Sequence, residues 1–396
     1  MGLEKEALDD TPHEYDQDLI DLLPPFHIID QLIEYYFNYC NWIYRYVNQR
    51  AFTKAWARFK AGEFPDRIVF ATVCMIMAVA VQYLPPRHPL HGILAGETIE
   101  ELGLKYHDVT LTVLKRHALE PRNYTLEYVE LLLIRTHFQT MCKTDSEEIW
   151  SVRGKAVSLA LALGLHRDPG RWKMSREVAE RRRWTWWNVM ILDRCVIYTI
   201  YLALPFNSDT RCRSWQAFLF GRPLSVASHH FDTQLPSYCD PALDQSGRLY
   251  IPNIALFRLV YILGEIMNDA VSFRPVPYDS VLAHDRTLSE WIESLPEELV
   301  FDQHSIACSL TSTVPSVLRP AVQCIVAHSA FHHIRFTLHR PYTTASGKLH
   351  RRVQSVDTAV MAADKLISIA EQTRSHFLAN EALVCLHYLM TCHDVD

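Results

Sequence analysis

The residues best able to do chemistry sit in the last third of the chain. His328 and His332 are four residues apart, and His339 lies near the same helical face a further seven on. Three imidazoles on one face resemble the donor set of a zinc site. A zinc hydrolase with H-E-x-x-H spacing needs a glutamate base at 329, however, and the residue there is Ser329. The chain holds 20 histidines, so chance clusters are ordinary, and packed or capping histidines are the expected reading. Asn268, Asp269 and Ser272 open the Asn-Asp-x-x-Ser-x-x-x-Glu pattern that binds magnesium and a diphosphate. Its closing glutamate is replaced by Val276, and the acidic pair Asp9–Asp10 lies at the N-terminal end. Glycine-rich phosphate and dinucleotide loops and the G-x-S-x-G nucleophile turn are missing. None of the 10 cysteines forms C-x-x-C, and most lie in apolar helical stretches, as Cys74 and Cys324 do. Reduced thiols acting as small hydrophobes are expected. No catalytic residue and no metal ligand are assigned.

Those side chains would have to be positioned by helices. The 396 residues are 49% hydrophobic and 21% charged, an ordinary globular composition able to bury a large core. Only 12 are glycine, which disfavours hairpin arrays. Basic residues number 39 against 45 acidic, giving a net charge of −6 and excluding bulk-charge binding of nucleic acid. The acidic N-terminus has no apolar stretch, and Glu6 breaks the myristoylation pattern. The longest apolar run, Ile68 to Val81, is too short to span a bilayer and reads as a buried helix. A soluble, intracellular protein with no membrane partner is expected.

Residues 1–25 read as an acidic disordered tail ending at Leu23–Pro24–Pro25. From Phe26 the apolar spacing is helical, with Ile29, Leu32, Ile33, Tyr36 and Cys40 on one stripe. Asp66 opens the buried helix and Pro85–Pro86 close it. Helices are expected over Thr125–Thr140 and Ser146–Leu163, the second with a Thr144/Glu147 capping box and a left-handed Gly164 at its end. Ser175 starts another, running through Trp184, Trp186 and Trp187 to about Cys195. Prolines and polar residues punctuate 205–252, the main irregular segment. Helices resume over Ile254–Phe273, Tyr278–Glu293, Pro315–Leu338 and Val353–Glu371. The fold class is all-α: one large multi-helix domain over 26–396, its C-terminal end left open, with two helical lobes as a variant joined near 205–252.

Three ordered signatures carry a resemblance. The first is Ala156-x-x-x-Ala160 leading to Gly164, Leu165, His166, Arg167 and Asp168. The second runs from Glu180–Arg181–Arg182–Arg183 through Trp184, Trp186 and Trp187 to Asp193–Arg194, then Gly221–Arg222–Pro223, then Asp232 and Leu235–Pro236. The third is Leu338–His339–Arg340–Pro341–Tyr342. In this order they resemble the middle homology region of fungal zinc binuclear cluster transcription factors. The likeness runs over most of the chain after residue 22. The motif residues read mainly as scaffold, with an effector-pocket role for some. Asp193, on a helix apolar almost all round, needs a cation, and Arg194, Arg222 and Arg167 are the candidates. The effector-binding residues are not legible.

The resemblance implies a nuclear regulatory region of a transcription factor. A small-molecule effector, co-regulators or transcription machinery, and a homo- or heterodimer are the implied partners. Full members carry a six-cysteine cluster holding two zinc ions that place a helix in the major groove. No residue here matches that cluster, so no zinc and no direct nucleic-acid contact carry over to these residues. The connection 195–220 is longer than the resemblance implies. It reads either as a helix extension or as translated intron sequence, and under the second reading deleting 196–211 should aid folding. The competing functions are a stand-alone regulator that lacks DNA binding and pairs with intact factors, and an α-helical metal-dependent enzyme.

Overall fold

The structure is a computed structural model. It describes residues 16–85, 88–94, 96–121, 124–142, 144, 146–194, 224–237, 250–270, 276–312, 314–343 and 349–379. Among these residues the secondary structure is helical, with no strand. The helices are α1 (Phe26–Tyr35), α2 (Gln49–Lys60), α3 (Arg67–Gln82), α4 (Ile99–His117), α5 (Leu126–Met141) and α6 (Ser146–Ala162). They continue with α7 (Arg176–Asp193), α8 (Ile251–Ala270), α9 (Tyr278–Glu293), α10 (Gln303–Leu310), α11 (Pro315–His339) and α12 (Leu349–Ala379).

Local chemistry starts these helices where the sequence implies. Asp66 accepts from the backbone N–H of Ile68 at 2.8 Å and caps α3, and Ser175 caps α7 through Val178 N–H. Thr98 and Glu101 form a reciprocal capping box on α4. Gly164 stands at φ +69°, the left-handed conformation that ends α6. The capping box expected at Thr144/Glu147 rests partly on residues outside the described ones. α12 is longer than its apolar stripe suggested, and Phe273, the expected end of α8, lies outside the described residues.

α3 is buried on every side from Ile68 to Gln82 and is the axis of a first lobe. It packs against α1, α2, α4 and α5, with α6 joined through α5. A second lobe forms around α11, which contacts α8, α9, α10 and α12. α7 touches α5 and α6 on one side and α8 on the other, so it bridges the two. α8 is the one described helix long and apolar enough to cross a bilayer, but 61% of its apolar window is buried in the second lobe.

The tail expected over 1–25 is corrected from residue 16 onward. Asp16, at 1% side-chain exposure, accepts from Arg67 at 2.8 Å and from Arg116 at 2.6 Å, and Leu19 is buried beside it. One carboxylate shared by two arginines ties this stretch to the starts and ends of α3 and α4. Composition alone hides such a contact, because the partners are 51 and 100 residues away.

Candidate functional site

The signatures that are far apart in sequence meet across α7. Arg183 grips Asp168 with two hydrogen bonds of 2.9 Å and reaches Glu180 at 2.7 Å. Asp168 also accepts from the backbone N–H of Gly170 and of Gln234, each at 2.8 Å. Burial opposes its charge, but Arg183 and these N–H donors hold its carboxyl below the usual carboxylate range. Glu180 in turn accepts from the backbone N–H and hydroxyl of Ser237. Asp232 receives the N–H of Asp168 at 2.8 Å and pairs with Arg167 at 3.7 Å, and Thr233 donates to the Leu165 carbonyl. Arg182 donates to the Leu163 carbonyl at 2.7 Å, satisfying an orphan acceptor at the end of α6. Segments 164–170 and 231–237 are thus laced to one another and to α7.

Apolar packing reinforces the lacing. Trp186 is fully buried against Phe231 and beside His166. Trp187 stacks on Phe257 of α8 and donates to the Gln234 carbonyl at 3.0 Å. Leu235 is half-buried against this core and Pro236 is buried. Such rings remove about 150–250 Å² each from water.

Asp193 and Arg194, both nearly inaccessible, face different ways. Of the three expected arginines, Arg167 and Arg194 are directed to other partners and Arg222 lies outside the described residues. The partner of Asp193 is Arg153 of α6 at 3.6 Å, and the backbone N–H groups of Ser225 and Val226 donate to the same carboxylate at 3.2 and 3.4 Å. Arg167 is taken by Asp232. Arg194 donates to Ser228 at 3.0 Å and to the Val260 carbonyl at 3.2 Å. Burial pulls its guanidinium down to about 10, with Asp193 opposing. α8 makes room for it with Gly264, where a Cβ would stand 2.5 Å from Arg194 Nε. Gly221, Arg222 and Pro223, like the connection 196–211, lie outside the described residues.

The third signature belongs to a separate knot. His339, at 0% exposure, is 3.2 Å from the Ser355 hydroxyl and 3.4 Å from Asp285, which Arg335 also clasps at 2.6 and 2.9 Å. Arg340 and Pro341 are exposed. His328 bonds the Leu299 carbonyl at 2.8 Å, so it and His339 are directed to different partners. Among the described residues no three His, Cys, Asp or Glu side chains converge as a metal site would require. Of the cysteines described, Cys40, Cys74 and Cys324 are buried, while Cys308 is exposed.

Two cavities flank α7. One, of about 660 Å³, lies between Trp187, segment 231–235, α8 and α9. The other, of about 320 Å³, lies where the lobes meet and is floored by Glu130, Arg181 and Trp184. Its roof is the loop 41–48 with the π-helical turn Tyr36–Cys40 before it. That loop is pinned from both lobes. Asn41 holds Val47 through its N–H and carbonyl, and Asn188 of α7 donates to the Arg45 carbonyl at 3.3 Å. Asn253 of α8 donates to the Ile43 carbonyl at 2.7 Å, and Arg319 of α11 donates to Asn38. Arg45 itself sits at φ 55°, an uncommon conformation for a non-glycine residue. On the floor, Arg181 binds Glu130 with bonds of 2.8 and 2.9 Å and Glu127 at 2.7 Å. Burial disfavours the Arg181 cation, and the two carboxylates outweigh it and hold it above the ordinary arginine range.

The sequence description of the fungal specific transcription factor domain matches residues 33–299. The chain belongs to that family. The match covers α7, its laced loops, the larger cavity and, apart from Arg319, the lining of the smaller one, in agreement with the resemblance carried by the motifs. The chain is 24% identical over 340 residues to the Equisetin cluster transcription factor eqxF of Fusarium heterosporum, covering 84% of this chain and 47% of that protein. It is 27% identical over 242 residues to the Zn(2)-C6 fungal-type transcription factor mpsB of Macrophomina phaseolina, covering 59% and 30%. With the Zn(2)-C6 fungal-type transcription factor pigI of Monascus ruber it shares 28% over 254 residues, covering 62% and 28%. The chain therefore spans less than half the length of these relatives.

Sequence reasoning missed Arg153, the cation of Asp193. A signal existed: with Ile149, Ala156 and Ala160 it falls on the buried stripe of α6, an unusual place for a lone arginine. It also missed the loop 41–48, whose pinning groups are asparagines without a helical or motif pattern.

Proposed function

We propose that this chain is the regulatory region of a nuclear fungal transcription factor, setting the factor's activity rather than contacting DNA or catalysing a reaction. The observation that carries this reading is the family match over 33–299, which takes in most of the first lobe, the laced helix α7, and α8 and α9 of the second lobe. A body with two lobes and a cavity at their junction suits control by population shift: an effector or protein partner that prefers one arrangement biases the equilibrium towards it. The relatives named for biosynthetic clusters support control of a gene set of that kind. Zinc, in this reading, belongs to the DNA-binding cluster of the family and not to the residues described here.

The test of the non-contacting role is a mobility-shift titration of the purified chain on mixed-sequence duplex DNA. With net charge −6 the counterion-release contribution to affinity is missing. No shift is expected at micromolar protein and low salt. Sub-micromolar, steeply salt-dependent binding would overturn it.

A further inference from the structure

We propose that the outer face of α12 is a docking surface for a cationic amphipathic helix of another protein, one that carries lysine or arginine beside an apolar stripe. This names the kind of partner through which the regulatory reading would act, and rests on that reading only for the consequence of docking. α12 lies beyond residues 33–299, so the family match assigns this face no role.

The helix is apolar on two faces. Ser355, Ala359, Ala362, Leu366 and Ile369 are buried, and this inner face packs on α11. The second stripe is Val353, Val356, Val360, Ala363, Ile367 and Ala370, which repeats every three and four residues like the seam of a coiled coil. Val353, Val360 and Ile367 are 50%, 61% and 58% exposed, and Met361 beside them is 64% exposed. A lone exposed apolar side chain is ordinary, whereas four on one helix face make a patch. At 1.5 Å per residue the stripe runs about 26 Å, room for roughly two and a half heptads of a partner helix.

The charge of the rim names the occupant. Asp357, Asp364 and Glu371 follow Val353, Val360 and Ile367 by four positions each, so they stand one turn along the same face. All three are exposed, and their carboxylates have no ion-pair or hydrogen-bond partner among the described residues. On a solvated helix a lysine or arginine three or four positions away commonly balances such an acid. Around Asp357 and Asp364 those positions hold valine, glutamine, methionine, isoleucine and serine. Lys365 lies on the α11 side instead, close enough to His332 to disfavour its proton. An apolar stripe edged by unbalanced acids fits a stripe edged by bases, because the charged rows meet as the stripes close. A second copy of α12 fits worse, since its own rim is acidic and pairing sets carboxylates near carboxylates. Residues 380–396, next along the chain, contain no lysine or arginine.

The experiment titrates the purified full chain into fluorescein-labelled synthetic peptides of three heptads, followed by fluorescence anisotropy. One peptide has leucine at the stripe positions and lysine beside them, and a second has glutamate in place of lysine. A third has the composition of the lysine peptide in scrambled order. Near-ultraviolet circular dichroism establishes that each variant is folded. The expected result is saturable micromolar binding of the lysine peptide, about tenfold tighter than either of the others. Val360→Ser combined with Ile367→Ser should weaken it severalfold. Leu119→Ser, at an exposed apolar residue outside α12, should leave it unchanged. Reversing the rim with Asp357→Lys, Asp364→Lys and Glu371→Lys should transfer the preference to the glutamate peptide. Equal binding of the ordered and scrambled lysine peptides would overturn the proposal, because bulk charge would then suffice. So would no binding of the lysine peptide, indifference to the Val360 and Ile367 substitutions, or a reversed rim that still prefers lysine. Dimerisation of the chain in sedimentation, abolished by the same two serines, would give the face to a second copy and overturn it too. These readouts do not involve DNA or transcription, so failure here leaves the regulatory reading standing, and failure of that reading leaves the surface.

Discussion

Asp193→Ala should lower the stability of the chain by about 3 kcal/mol, the range found when one partner of a buried ion pair is removed. The carboxylate is at 0% exposure and Arg153, its cation, at 3%. The substitution removes a buried carboxylate from beside Arg153 and strips the acceptor from the N–H groups of Ser225 and Val226. Arg153 and Val226 are already buried in the folded state, so their losses are not offset by water, whereas exposed Ser225 can turn to solvent. Asp193→Asn keeps an oxygen acceptor and the volume, and should fall between the two. Thermal melting of the three proteins checks this, with a drop of several degrees for alanine and a smaller one for asparagine. Equal melting temperatures would mean that Arg153 and segment 224–228 are held without Asp193.

The second large effect is expected in mild acid. His137 and His333 are buried and His332 is half-buried, and desolvation brings each down to about 4, with His328 adding to the effect at His332 and Arg340 at His333. In the unfolded chain a histidine takes its proton near pH 6.5. Between about pH 6.5 and 4 the unfolded state therefore binds more protons than the folded one, and stability is lost as the pH falls through that window. At pH 5 each contributes a loss of roughly 2 kcal/mol, so the three together amount to several. Asp285 behaves oppositely in origin. Burial would raise its carboxyl, but His339 and Arg335 hold it at about 2, so its contribution persists until well below pH 4. Losses between pH 6.5 and 4.5 therefore belong to the histidines. Melting temperatures across that range should fall steeply, and His332→Phe, which keeps a flat ring beside Phe331, should flatten the slope. A melting temperature constant from pH 7 to 5 would contradict the buried neutral assignment.

Much of this architecture was readable beforehand because it rests on local rules. Asp66, Ser175 and Gly164 act within a turn of their own helices, and the burial of α3 follows from an apolar run with no polar face. The motif residues of α7 were identifiable by spacing, but their wiring was not. Asp193 finds Arg153 across 40 positions and Asp168 finds Gln234 across 66, distances over which no periodicity operates. The arginine nearest in sequence, Arg194, turned out to serve Ser228 and α8. The make-up of the junction cavity was invisible for the same reason: its arginines come from positions 45 to 319 and form no run.

The central claim, that this body sets the activity of a transcription factor, and in the absence of an effector holds it low, is tested most directly in a reporter assay. The full chain is placed between an unrelated DNA-binding domain and a strong activation segment, and output is compared with the same fusion lacking the chain at matched protein levels. The account predicts severalfold lower output with the chain present, partly relieved by Asp193→Ala, which loosens segment 224–228 from α7. Output equal with and without the chain, at equal abundance and nuclear entry, would contradict it.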